Sequence, residues 1–351
     1  MSGVWRIGRA VVGIPLTMVL ISVQSDPVRR SPISFRSVVA VVAVSVTIGS
    51  LTGCGSDPHG SGTKADPLQV VASFYPLQWM AQQVGGDRVE VTSLTKPGAE
   101  PHDLELTPRD VGAIQDADAV AFLSEFQPGV DTAVVESTGE VFDARDATEL
   151  EPLTSREHEG EDAHGGGDEH DDDAYEVGAT DPHFWLDPTR MADVATAFAE
   201  TLAVADRAHA ASYRANAKAL GADLADLDAE MEAGLAHCDR TDLVTSHEAF
   251  GYLARRYGLE QRGITGLTPE ADPSPKDLAA VADFVDAHDV TTIYFETLTS
   301  PSVAETLASE TGATTAVLDP IEGLTEESKG SDYLEVMRSN LATLQVGQGC
   351  S

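Results

Sequence analysis

Basic residues are scarce in this chain. Lys and Arg number 22 against 58 Asp and Glu, giving a formal charge of −36. Nucleic-acid binding is thereby excluded, because phosphate contacts need Lys and Arg. The same imbalance attracts cations. Cysteine is scarcer still, with three in 351 residues. Long apolar runs are missing too: Val11–Val23 and Ser37–Leu51 are both short of the about 20 residues of a spanning helix. What is there is a 42% hydrophobic chain, globular in composition and long enough for two domains of ordinary size.

The N-terminus reads as a leader. Arg29, Arg30 and Arg36 precede the apolar run, which ends in Leu51-Thr52-Gly53-Cys54. Leu-x-Gly-Cys at this point resembles a bacterial lipoprotein cleavage site, with Cys54 lipidated and anchoring the chain without spanning. Residues 1–53 are then a signal peptide, and a misassigned start ahead of Val28 would explain its length. Residues 54–67 are a tether rich in Gly, Ser and Asp. Cys238 and Cys350 remain. A disulfide between them is permitted outside the cytosol, and two unpaired thiols are the alternative.

From Leu68 onwards strand and helix patterns alternate, which implies parallel sheets flanked by helices. Strands are expected at 68–74, 88–94 and 119–123, with helices at 76–84 and 109–115. The alternation restarts at 242–245, with helices at 248–257, 275–288, 302–311 and 333–345 and strands at 291–295 and 315–318. Between the two halves Tyr213, Ala217, Leu220, Leu224, Leu227, Met231 and Leu235 recur at steps of three and four. That stripe makes one amphipathic helix about 40 Å long. The expected class is α/β, with two lobes (68–206 and 239–351) joined by one long helix (207–238).

Residues 157–173 break the pattern. They hold nine acids, three histidines (His158, His164, His170), three consecutive glycines and no Lys or Arg. Such a stretch has no apolar surface to offset its ordering entropy. It is a solvated acidic loop or a loop that holds divalent cations, and imidazole with carboxylate suits Zn²⁺. Three other histidines have distinctive surroundings. His102 lies in Pro97-Gly98-Ala99-Glu100-Pro101-His102, stiffened by two prolines. His183 lies in Asp181-Pro182-His183-Phe184-Trp185-Leu186-Asp187-Pro188. His247 lies in Thr245-Ser246-His247-Glu248-Ala249-Phe250, at a strand end, where α/β sheets gather ligands.

These segments, with Phe295-Glu296-Thr297 and Leu318-Asp319-Pro320-Ile321-Glu322-Gly323-Leu324, resemble in order the solute-binding lipoproteins of zinc and manganese ABC importers, the ZnuA/TroA-like family. The resemblance covers residue 68 to the C-terminus. It implies two α/β lobes bridged by a long helix, with His102, His183 and His247 as metal ligands. Glu322 is the first choice for the fourth, Asp319 the second, and water a third. Pro101 stands where some members place a glutamate. Glu296 would orient a ligand or the lobe interface, its alternative being a buried hydrogen-bonded acid. Three imidazoles and a carboxylate suit tetrahedral Zn²⁺, whereas manganese favours oxygen-rich sites.

The implied protein is an extracytoplasmic, membrane-anchored monomer that hands Zn²⁺ to an ABC permease and its ATPase, with tract 157–173 as an accessory collector. The alternatives are a manganese- or iron-binding member or a surface adhesin. A zinc hydrolase is disfavoured: His247-Glu248 begins like a metalloprotease motif, but the position four after His247 is Gly251. No enzyme activity is expected.

Overall fold

The computed structural model describes residues 66–152, 180–269 and 271–351, all within one compact unit. The expected signal peptide, Cys54, the expected tether as far as residue 65, and tract 157–173 with His158, His164 and His170 lie outside the described residues.

Two four-stranded parallel sheets form the frame. The first contains β1 (Leu68–Ala72), β2 (Val89–Ser93), β3 (Ala119–Phe122) and β4 (Glu140–Asp143), in the order β2-β1-β3-β4. Helices α1 (Tyr75–Gly85), α2 (Pro108–Asp116) and α3 (Pro128–Val134) connect these strands. The central strand β1 is Leu-Gln-Val-Val-Ala, and Val70, Val71 and Ala72 are buried, as strands covered on both faces require. Helix α2 starts at a reciprocal cap, in which Thr107 accepts from the Asp110 N–H and Asp110 from the Thr107 N–H.

Helices α4 (Pro188–Ala205) and α5 (Ala210–Leu235) follow, and then the second sheet. It contains β5 (Asp242–Thr245), β6 (Glu260–Gly263), β7 (Thr292–Phe295) and β8 (Thr314–Val317), ordered β6-β5-β7-β8. Its helices are α6 (Gly251–Tyr257), α7 (Pro275–Ala287), α8 (Ser302–Thr311) and α9 (Tyr333–Gln348). The two sheets repeat one topology. In each, the first strand lies between the second and the third, which places a switch point beside it.

All seven apolar residues of the α5 stripe are buried. The helix packs on α1 and α4 from the first half of the chain and on α6 and α9 from the second. A single apolar cluster therefore runs from Val70 and Phe74 through Leu220 and Leu227 to Met337 and Leu344. Cys238 and Cys350 form a disulfide that ties the end of α9 to the chain just beyond α5. Among the described residues no helix is long and apolar enough to cross a membrane.

One helix starts later than its sequence pattern suggests. Residues 248–250 lie outside α6 because the backbone there bonds elsewhere. The Glu248 N–H donates to Gly266 O (2.9 Å), and the His247 carbonyl accepts from Thr245 Oγ1 (2.6 Å) and Gln261 Nε2 (3.1 Å). His247 thus stands on a fixed loop rather than on a helix.

A candidate metal centre

Four segments from both halves of the chain converge at the carboxyl ends of the strands. The loop after β2 carries His102. Gly98 turns it with φ +75°, and Gln127 Nε2 holds the Pro101 carbonyl at 2.9 Å. The His102 ring stands edge-on to Phe126, with centroids 4.6 Å apart. His183 precedes a tight turn over Phe184–Leu186, and Asp187 then caps α4. His247 follows β5 by two residues, and Glu296 follows β7 directly.

Glu322 lies five residues beyond β8. Its neighbour Ile321 is buried with φ +60°, a left-handed conformation that costs a β-branched residue of order 1–3 kcal/mol. The surroundings enforce it. Asp319 Oδ1 accepts from the Ile321 N–H (2.8 Å), and Asn340 clasps both the N–H and the carbonyl of Asp319. Trp185 Nε1 donates to Pro320 O at 2.8 Å, which pins the His183 turn to the Glu322 turn.

His102, His183, His247 and Glu322 meet with their ligand atoms all within 4.8 Å of one another. The three Nε2 atoms lie 3.2, 3.0 and 3.5 Å from a single oxygen, Glu322 Oε1. A tetrahedral zinc with ligands at 2.0–2.1 Å needs ligand separations of about 3.3 Å. The nitrogen–oxygen separations already have that size, and only the imidazoles need to draw together. His247 Nε2 and Glu322 Oε2 are buried without a hydrogen-bond partner. Such orphans cost about 1–3 kcal/mol each, and a cation between these residues would satisfy His247 Nε2. The donor set therefore fits a borderline metal.

Two further carboxylates orient the rings. Glu296 Oε1 bonds His247 Nδ1 at 2.7 Å and accepts from Ser246 Oγ at 2.8 Å. Asp181 Oδ1 bonds His183 Nδ1 at 2.8 Å and accepts from the His183 N–H at 3.0 Å. Each places the Nδ1 proton on the outer side and leaves Nε2 free to ligate. The role of Asp181 was not read from the sequence, although the Asp-Pro-His spacing carries it: two residues back is the shortest reach to both N–H groups.

Burial alone would depress the His183 and His247 imidazoles. The facing carboxylates win: Asp181 and Glu322 raise His183, and Glu296 and Glu322 raise His247 well above the usual value. Burial likewise opposes the charge on Glu322, but the hydrogen-bonded His102 and His183 imidazoles, with the His247 ring close by, hold it well below the carboxylate range. Asp319, the second choice for the fourth ligand, is occupied elsewhere. Besides the Ile321 N–H it accepts from Ser328 Oγ (2.7 Å), and burial pushes its pKa up.

The family model described as the periplasmic zinc-uptake complex component A, ZnuA, matches residues 70–347. This chain belongs to the ZnuA family. It is 35% identical over 311 residues to the high-affinity zinc uptake system protein ZnuA of Bacillus subtilis, covering 87% of this chain and 95% of that protein. It is 36% identical over 296 residues to the zinc-binding protein AdcA of Streptococcus pyogenes, covering 80% of this chain and 56% of AdcA. Two solved structures share the fold. The Zn(II)-bound ZnuA-like domain of Streptococcus pneumoniae AdcA matches with a TM-score of 0.65 at 32% identity, over 80% of this chain and 99% of that one. The laminin-binding protein Lmb of Streptococcus agalactiae, described as having adhesin and metal-transporting activity, matches with a TM-score of 0.70 at 32% identity, over 81% and 100%. The ZnuA family is one of binding components of zinc uptake, not of enzymes.

Proposed function

We propose that this chain captures Zn²⁺ outside the cytoplasm and delivers it to the permease and ATPase of an ABC importer. The observation that carries the reading is the convergence of three buried or half-buried imidazole Nε2 atoms on one buried carboxylate oxygen, with two of the imidazoles oriented from behind by Asp181 and Glu296. His102, His183, His247 and Glu322 are the ligands. Nitrogen predominates in this set, which favours zinc over manganese. His102, with 13% of its side chain accessible, marks the side from which the ion enters, since the other three ligands are closed off. Four protein ligands leave no open position for a catalytic water, consistent with a carrier. Cys54 anchors the chain by a lipid, and residues 157–173 serve as an accessory zinc collector. A relative from Bacillus subtilis described as a high-affinity zinc uptake system protein supports the uptake reading, and one from Streptococcus pneumoniae described as a zinc-binding lipoprotein supports the anchor.

Isothermal titration with Zn²⁺ and Mn²⁺ tests the reading. One tight zinc site is expected, and His183→Ala should weaken it by far more than tenfold. A loss of less than about tenfold, the lower bound even for an outer-shell residue, would remove His183 from the site.

A further inference from the structure

The zinc reading leaves a group of residues on α6 unexplained. Tyr252 is buried, and two guanidiniums lie over its ring, with Arg190 Cζ at 4.7 Å and Arg255 Cζ at 5.0 Å from the centroid. Its hydroxyl accepts from the Glu151 N–H (2.8 Å) and donates to the Asp181 carbonyl (2.9 Å). Both arginines grip the Glu151 carboxylate, Arg190 at one oxygen and Arg255 at the other. The Asp181 N–H donates to Glu151 O at 2.9 Å, and Pro152 pairs with Thr180 beside it.

Asp181 is therefore held on every side. Its Oδ1 serves His183, while its Oδ2 faces Arg255 Nη2 at 3.9 Å. It also lies against the first residue of α6. A Cβ added at Gly251 would sit 2.6 Å from Asp181 Oδ2 and 3.1 Å from Arg255 Nη1. A side chain there forces the carboxylate to shift, and the shift pulls on the oxygen that bonds His183 Nδ1. The helix that does this begins four residues after His247.

We propose that Gly251, Tyr252 and Arg255 are positioning residues for zinc: the start of α6 is a wall that fixes Asp181, and through it the His183 imidazole, against His247. This inference rests on the zinc site proposed above. The wall makes the ring of one half of the chain answer to the backbone of the other half. It should act mainly on how long zinc stays, because an imidazole free to swing releases its metal sooner.

Gly251→Ala tests it most sharply, since it removes no hydrogen-bonding group and adds a good helix former at a helix start. The full-length protein should lose about tenfold in zinc affinity, at the low end of outer-shell effects, mostly through faster release to a chelator. In the metal-free protein the helix-propensity gain opposes the displaced carboxylate, so its melting temperature should change little. In the zinc-loaded protein the ¹⁵N–¹H signal of the His183 Nδ1 proton should shift or broaden. Arg255→Gln, at a half-exposed position, should speed release in the same direction, and Arg255→Lys should recover part of the loss. Unchanged release from both Gly251→Ala and Arg255→Gln, with His183→Ala still losing zinc, would overturn the wall and leave the site standing. An affinity loss that only tracks a falling melting temperature would overturn it as well. Zinc binding undisturbed by His183→Ala would overturn the site itself.

Discussion

Lowering the pH should release zinc from this protein more steeply than one histidine allows. His183 and His247 each have a carboxylate at both ring nitrogens: Asp181 and Glu322 for the first, Glu296 and Glu322 for the second. These neighbours hold both rings protonated above the usual 6.5 or so. A zinc ion must displace a proton from each. One dication for two protons leaves the charge of the buried cluster unchanged, which is why the exchange is feasible in a site closed to water. Each displaced proton moves the apparent Kd tenfold per pH unit, about 1.4 kcal/mol. Two protons make the affinity rise about a hundredfold per unit as pH increases, until it passes the raised values. Calorimetry in buffers of different ionisation enthalpy counts the protons directly, and about two are expected at a pH below both raised values. A count near zero, or a Kd that varies less than about threefold between pH 6 and 7, would refute the charge balance drawn here. The metal-free protein should carry the same signature. The raised histidines stabilise it below about pH 6.5, and that contribution fades as pH rises through their folded values. The depressed Glu322 stabilises it above about pH 4.3, a contribution lost on acidification through its folded value. Its melting temperature should therefore fall on going alkaline, where added zinc restores it.

Glu322→Gln should weaken zinc by more than about a hundredfold, beyond the range of outer-shell changes, whereas Asp319→Asn should stay within about threefold while costing about 1–3 kcal/mol of folding stability; titration and thermal melts separate the two. Reducing the Cys238–Cys350 bond, which spans 112 residues of sequence, should lower stability by about 4–5 kcal/mol through the freed loop, with zinc affinity unchanged in the same samples. Deleting residues 157–173 should leave one tight site and abolish weaker ones in a zinc titration. If the tight site disappeared with them, His102, His183 and His247 would not be the ligands.

Some elements were legible because their residues speak locally. The α5 stripe reads as a buried helix face from spacing alone, and all seven of its residues are buried. The hydrophobic strands β1 and β3 are equally plain. Strand β6 was not read: Glu260-Gln261-Arg262-Gly263 is polar, lies at a sheet edge, and gains its pairing only from β5. Strand β4 and helix α3 were missed for a similar reason, each being short and stabilised chiefly by what it packs on. The late start of α6 depended on Gly266 and Gln261, distant residues that capture the backbone around His247.

By itself the sequence determined the class of chemistry. Excess acid and the stiffened loops around His102 and His183 pointed to cation binding, because composition and backbone stiffness are properties of the chain, and the resemblance of the ordered motifs to the ZnuA/TroA-like family implied a zinc carrier. Only the tertiary structure decided which atoms meet. Glu322 and Asp319 are three residues apart, and in sequence either could serve. Asn340 and Ser328, brought in from elsewhere, take Asp319 into a hydrogen-bonded turn, and the left-handed Ile321 carries Glu322 to the three imidazoles. The choice between them lies in long-range hydrogen bonds, which no local pattern encodes.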